Sequence, residues 1–223
     1  MEIIKTVNLN KIYGKGDTQV HAVNDVNLTI NEGEFVAIVG ASGGGKSSLL
    51  HLLGGLDKPT SGSVLINGQD IYKMKNDTRA IFRRRNIGFI FQFFNLIPVL
   101  TAKENIELPA KLDNEKVDKD YLKDLIRQLG LTKRMDHFPK ELSGGEQQRV
   151  SIGRALAYKP SIILADEPTG NLDKKNSQEI LELLKMFSSK YGNTVIMITH
   201  DLNLAAAADR IIKIEDGKIV SED

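Results

Sequence analysis

The chain has 223 residues, 41% of them hydrophobic and 26% charged, which suits one domain with a buried core and excludes a disordered segment. Lys and Arg number 30 against 29 Asp and Glu, so no broad positive field exists to steer the chain onto nucleic acid. The absence of Cys excludes a disulfide framework, thiolate catalysis and Cys-ligated zinc, and is compatible with a reducing compartment.

The first residues, Met1 to Lys15, alternate polar and apolar side chains and lack the apolar core of a signal peptide. No run of about 18 apolar residues occurs, so any membrane role is expected to run through a partner. Residues 2–13 and 21–30 alternate as half-buried strands, with Gly14-Lys15-Gly16-Asp17 as the turn of an antiparallel edge. Residues 35–39 form a near-continuous apolar strand, followed by a Gly-rich turn and a helix over 46–53, the opening of an α/β unit. Buried strands are expected at 87–91, 161–165 and 194–199, and helices at 147–158 and 177–191, giving a parallel sheet covered by helices. Leu122, Leu125, Ile126 and Leu129 repeat at helical spacing, so the segment between Thr101 and Pro139 reads as a helical insertion.

Gly40-Ala41-Ser42-Gly43-Gly44-Gly45-Lys46-Ser47 fits G-x-x-x-x-G-K-[ST] between a strand and a helix. Such a loop turns backbone N–H groups onto a polyphosphate, with Lys46 reaching the β- and γ-phosphates and the Ser47 hydroxyl available to Mg²⁺. The apolar run Ile162 to Ala165 ends in Asp166-Glu167. Beside the loop, Asp166 is expected to hold Mg²⁺ through water and Glu167 to act as general base toward the attacking water. Ser143-Gly144-Gly145-Glu146 reads either as a capping box or as a second anion site at a helix N-terminus. Two glycines in a first turn cost about 1 kcal/mol each against Ala, so helix stability alone does not explain them.

Taken together, these three segments resemble the nucleotide-binding subunit of ATP-binding cassette (ABC) transporters, and the match spans nearly the whole chain. The resemblance implies an α/β P-loop NTPase fold with a mixed central sheet and an antiparallel β edge. It implies one domain: residues 1–92 and 160–223 as the core, and 93–159 as an inserted helical subdomain. By the same resemblance Tyr13 stacks on adenine, Gly40 to Ser48 cradle ATP, Gln92 touches Mg²⁺ and the water, and His200 contacts the γ-phosphate. Ser143, Gly144, Gly145 and Glu146 clamp the ATP of a second copy, and Asn171-Leu172-Asp173 crosses the dimer interface. Ser47, Asp166 and Gln92 are the implied Mg²⁺ residues. Gly44, where the family usually has Ser, is expected to loosen the loop; Ser48 stands where Thr is common; and Glu146, in place of the commoner Gln, adds negative charge near a triphosphate.

Residues 93–98, 100–109 and 168–173 look like the lipoprotein-release, macrolide-export and antimicrobial-peptide-resistance group. Its members pair with a separate or fused membrane subunit, which implies a place at the cytoplasmic face of the membrane and no nucleic-acid partner. Phe89, Phe91 and Phe93 are expected on one core-facing side of a strand, with Phe94 and Leu96 as an exposed apolar surface beside Gln92 for that partner. Arg83-Arg84-Arg85 reads as a solvated face, and His21, His51 and His137 as structural. A small-molecule kinase would need neither Glu167 beside Asp166 nor residues 143–145, and a repair or translation ATPase would need a coiled coil or a second cassette. A nucleotide-gated regulator with little turnover remains the alternative.

Overall fold

The computed structural model describes residues 1–113 and 118–222. Ten strands and seven α-helices are found among them, with short 3-10 turns at Gly16–Thr18 and Pro139–Glu141. Strands β1 (Glu2–Tyr13), β2 (Val20–Asn31), β4 (Ser61–Ile66) and β5 (Gln69–Asp70) form an antiparallel sheet in the order β2-β1-β4-β5. The second sheet runs β10-β9-β3-β8-β7-β6, from β10 (Lys218–Glu222) and β9 (Arg210–Glu215) through β3 (Phe35–Val39), β8 (Thr194–Ile198) and β7 (Ile162–Asp166) to β6 (Ile87–Phe91). Its strands are parallel except β10, which pairs antiparallel with β9. The mixed sheet and the antiparallel pairing of β1 with β2 agree with the fold class expected from the sequence.

All five residues of β3 and of β8 are buried, as a parallel sheet covered on both faces requires. The two-residue period decides which core each joins. Val36, Ile38, Ile162, Leu164, Ile196 and Ile198 pack with α1 (Lys46–Leu53) and the antiparallel sheet. Phe35, Ile163, Ala165, Val195 and Met197 pack with α3 (Ala102–Leu112), α4 (Lys119–Gln128), α5 (Gly144–Leu156) and α6 (Lys174–Tyr191). Gly88 permits the approach of α5 to β6: a Cβ there would stand 2.6 Å from the Ala155 carbonyl oxygen.

Both α5 and α6 start three residues earlier than their apolar periodicity suggests, because Ser143 and Asp173 cap them. Helix α2 (Asn76–Asn86) was not legible from periodicity, whereas α3 lies within the helical insertion expected between Thr101 and Pro139. Helix α2 buries none of its residues, and α3 contains Pro109 and is started by a Thr101–Glu104 capping box.

Two surface expectations are corrected. Phe89 and Phe91 do share a face, their rings stacked at 5.6 Å, but β6 ends at Phe91 and Phe93 is 73% exposed. Phe94 and Leu96 are instead half-buried, Leu96 against the helical core. The strand period stops at Gln92, and Phe94 and Asn95 both take left-handed backbone. Arg83-Arg84-Arg85 is not simply a solvated run: Arg83 donates to the Gly55 carbonyl, while Arg84 and Arg85 pair with the buried Asp113 carboxylate at the end of α3. Tyr158 Oη also donates to Asp113. The three polar groups offset the desolvation of that carboxylate and fasten α2 to α3.

Candidate nucleotide site

Parallel pairing brings four strand ends to one edge. Asp166 lies in register with Phe91 on one side and Ile198 on the other, and Ile38 of β3 is in register with Ile198. Gln92, Glu167, Thr199 with His200, and Gly40 therefore leave the sheet side by side, at the carboxyl ends where α/β sheets bind ligands.

Residues 40–45 form a loop entering α1, whose N-cap is Gly45. Gly40 and Gly45 have φ of 148° and 97°, and a Cβ on either would sit about 2 Å from a backbone carbonyl, of Ile214 and Ala22 respectively. Gly44 N–H donates to Ala41 O, and its carbonyl accepts from Gly217 N–H at 3.0 Å. That anchorage opposes the loosening expected of three consecutive glycines. Lys46 is buried and donates to the carbonyls of Gly40 and Ala41 at 2.9 and 2.8 Å. Ser47 Oγ donates to Asp166 Oδ1 at 3.0 Å. Burial pushes the Asp166 carboxyl above its ordinary value, against the pull of Ser47 and His51. His51, expected to be structural, has its Nε2 3.8 Å from Asp166 Oδ2. Its position four residues after Ser47 puts the two on one face of α1.

Glu167 has φ of 45° and donates its N–H to Ile198 O at 3.2 Å. Its Oε2 is 3.3 Å from Nδ1 of the exposed His200. The Gln92 amide packs on Gly170, where a Cβ would be 2.8 Å from Nε2, and its backbone carbonyl accepts from Asn171 Nδ2. Tyr13 is 42% exposed; its hydroxyl donates to Asp57 at 2.7 Å and Lys11 Nζ lies 4.7 Å from its ring. Burial, then Asp57, raises its phenol pKa, while the Ser48 hydroxyl pulls it down and places Tyr13 beside the loop.

Ser143 and Glu146 form the capping box of α5, and Arg134 Nε donates to Glu146 Oε1 at 2.6 Å. The extra charge of Glu146 is therefore paired. Gly145 faces Asn176, whose Oδ1 would be 2.6 Å from an added Cβ, so packing against α6 gives one reason for a glycine there. Asp173 caps α6 by accepting from Asn176 N–H. Among the described residues, no hydrogen bond or ion pair joins residues 143–146 to Gly40–Ser48, Asp166 or Glu167. The structure brings Ser47, Asp166, Glu167 and His200 together beside the loop and joins 143–146 to none of them directly.

Among the described residues no three His, Asp or Glu converge as a metal cage. The Ser47 hydroxyl and Asp166 carboxylate, oxygen donors at hydrogen-bond distance, fit Mg²⁺, which takes few protein ligands and fills its shell with water and phosphate oxygen. Among the same residues no helix is long and apolar enough to cross a membrane.

The family model described as ABC transporter matches residues 23–170. The chain is 51% identical, over 98% of both chains, to an uncharacterized ABC transporter ATP-binding protein, MJ1508, of Methanocaldococcus jannaschii. It is 45% identical, over 99% of both, to the lipoprotein-releasing system ATP-binding protein LolD of Geobacter metallireducens. The solved ATP-binding cassette MJ0796, a dimer in a post-hydrolysis state bound to ADP and Pi, superposes with a TM-score of 0.91 at 44% identity, covering 99% of this chain and 98% of that one.

Proposed function

We propose, for a chain that belongs to the ABC transporter family as one of its ATP-binding subunits, that Glu167 is the general base of an ATP hydrolase completed by a second copy. The observation carrying this reading is the meeting of Glu167, His200, Asp166 and Ser47 beside the phosphate loop. The Tyr13 ring stacks on adenine, oriented by its bond to Asp57. The N–H groups of residues 40–48 and the α1 N-terminus hold the phosphates, and Lys46 exchanges its two carbonyl partners for phosphate oxygens. Ser47 and Asp166, with the Gln92 amide, hold Mg²⁺, which when bound neutralises phosphate charge. Glu167 accepts a proton from water as the water oxygen bonds to the γ-phosphorus and the bond to the bridging oxygen of the leaving ADP breaks. His200 orients that water and the γ-phosphate.

Ser143, Gly144, Gly145 and Glu146 act on the ATP of the second copy, with Asp173 at the shared face. The dimeric arrangement of the MJ0796 cassette supports this, as does the separation of 143–146 from the chain's own loop. The likeness to LolD supports work on an integral membrane permease of an export or extraction system, hence a place at the cytoplasmic face of the membrane. The near-balanced charge supports no nucleic-acid partner.

Phosphate release by native protein and Glu167→Gln, with ATP binding measured in the same samples, tests the assignment. Turnover is expected to fall about 10²-fold or more with binding retained. Equal rates contradict it.

A further inference from the structure

Gln148 lies in α5, two residues beyond Glu146, and none of its surface is exposed. Its Nε2 donates to the Pro168 carbonyl at 2.6 Å, while Oε1 has no hydrogen-bond partner. A buried amide with one half unpaired is a poorer stabiliser than an apolar side chain of the same shape. Packing does not account for glutamine here, whereas the bond to Pro168 does.

The acceptor belongs to the turn that aims Glu167. A proline steers the residue before it to extended backbone, yet Glu167, immediately before Pro168, sits at φ 45°. A conformation so disfavoured persists only where its surroundings over-determine it. Glu167 N–H donates to Ile198 O at 3.2 Å, and Gly170 N–H donates to Glu167 O at 3.0 Å. The Gln148 bond holds the next peptide plane. With the Pro168 φ fixed by its ring, ψ of Pro168 is the torsion that this bond controls.

We propose that Gln148 is a positioning residue: through Pro168 it locks the turn that aims the Glu167 carboxylate at the water. This rests on Glu167 being the general base. It also ties that turn to α5, whose first turn carries Ser143 to Glu146, so movement of the surface that meets the second copy is transmitted to the base.

The experiment is a double-mutant cycle on phosphate release by the full chain, with Gln148→Met, Glu167→Gln and both together. Gln148→Met is expected to lower kcat about tenfold, since small misplacements of a reacting group are costly. KM and the affinity for a fluorescent ATP analogue should hold. In the Glu167→Gln background it should cost nothing further, because the group it positions no longer acts. A kcat unchanged by Gln148→Met, or an equal loss in both backgrounds, overturns the proposal. Gln148→Leu is carried through the same cycle in case the methionine variant does not fold, as judged by thermal midpoint. Native-like turnover in Glu167→Gln alone contradicts the general-base reading instead, so the two failures are distinguishable.

Discussion

Glu146 does two things at once: its Oε2 accepts from Ser143 N–H to close the capping box of α5, and its Oε1 accepts from Arg134. Arg134 first, then the Ser143 N–H, holds its carboxyl below the ordinary glutamate value of 4.5. A depressed folded-state value means that the stabilisation is complete above 4.5 and is lost as pH falls through the lower folded value. Glu146→Gln keeps a capping partner but loses the ion pair. It is expected to cost about 0.5 kcal/mol at pH 7, typical of a partly exposed pair, and the difference should be smaller at pH 3, below the ordinary glutamate value. Urea denaturation at both values checks this; an undiminished difference at pH 3 contradicts it. At this scale the phosphate loop and the Asp166-Glu167 pair were legible, because their chemistry is set by spacing along the chain. His51 beside Asp166 was not, since that contact joins residues more than a hundred positions apart and depends on how α1 sits over β7.

Elements with strong periodicity were the legible ones. Strands β3, β6, β7 and β8 and helices α1, α4, α5 and α6 each show an apolar pattern that burial explains. Helix α2 has no buried residue and so no pattern to read. The segment after β6 illustrates the same limit: extending the strand period past Gln92 places Phe93 inside and Phe94 outside, and two left-handed residues at Phe94 and Asn95 reverse that. Phe93 and Val99 are 73% and 76% exposed and Ile97 and Pro98, between them in sequence, are exposed too, so we propose these residues, in place of Phe94 and Leu96, as the apolar docking surface. We expect Phe93→Asp to change stability by no more than about 0.5 kcal/mol, as for an exposed position, and to abolish co-purification with the proposed membrane partner. Undiminished co-purification would refute the surface. Phe94→Asp, at a half-buried position, should instead destabilise the fold.

For the whole molecule, a parallel sheet with a helical insertion followed from the sequence, but the separate antiparallel sheet did not. Alternation in β1 and β2 specifies a half-buried pair without saying that β4, supplied after α1, completes a second layer over the central sheet. That layering and the parallel register gather Gly40, Gln92, Glu167 and His200 at one edge, while Ser143 to Glu146 begin α5 with no bond to them. Under the proposed function, a second copy completes a site divided in this way within one chain. The most direct measurement is the solution mass of Glu167→Gln by light scattering, without nucleotide and with Mg²⁺ and ATP. We expect a monomer that becomes a dimer only with ATP. A monomer that persists while ATP is bound would contradict the shared site.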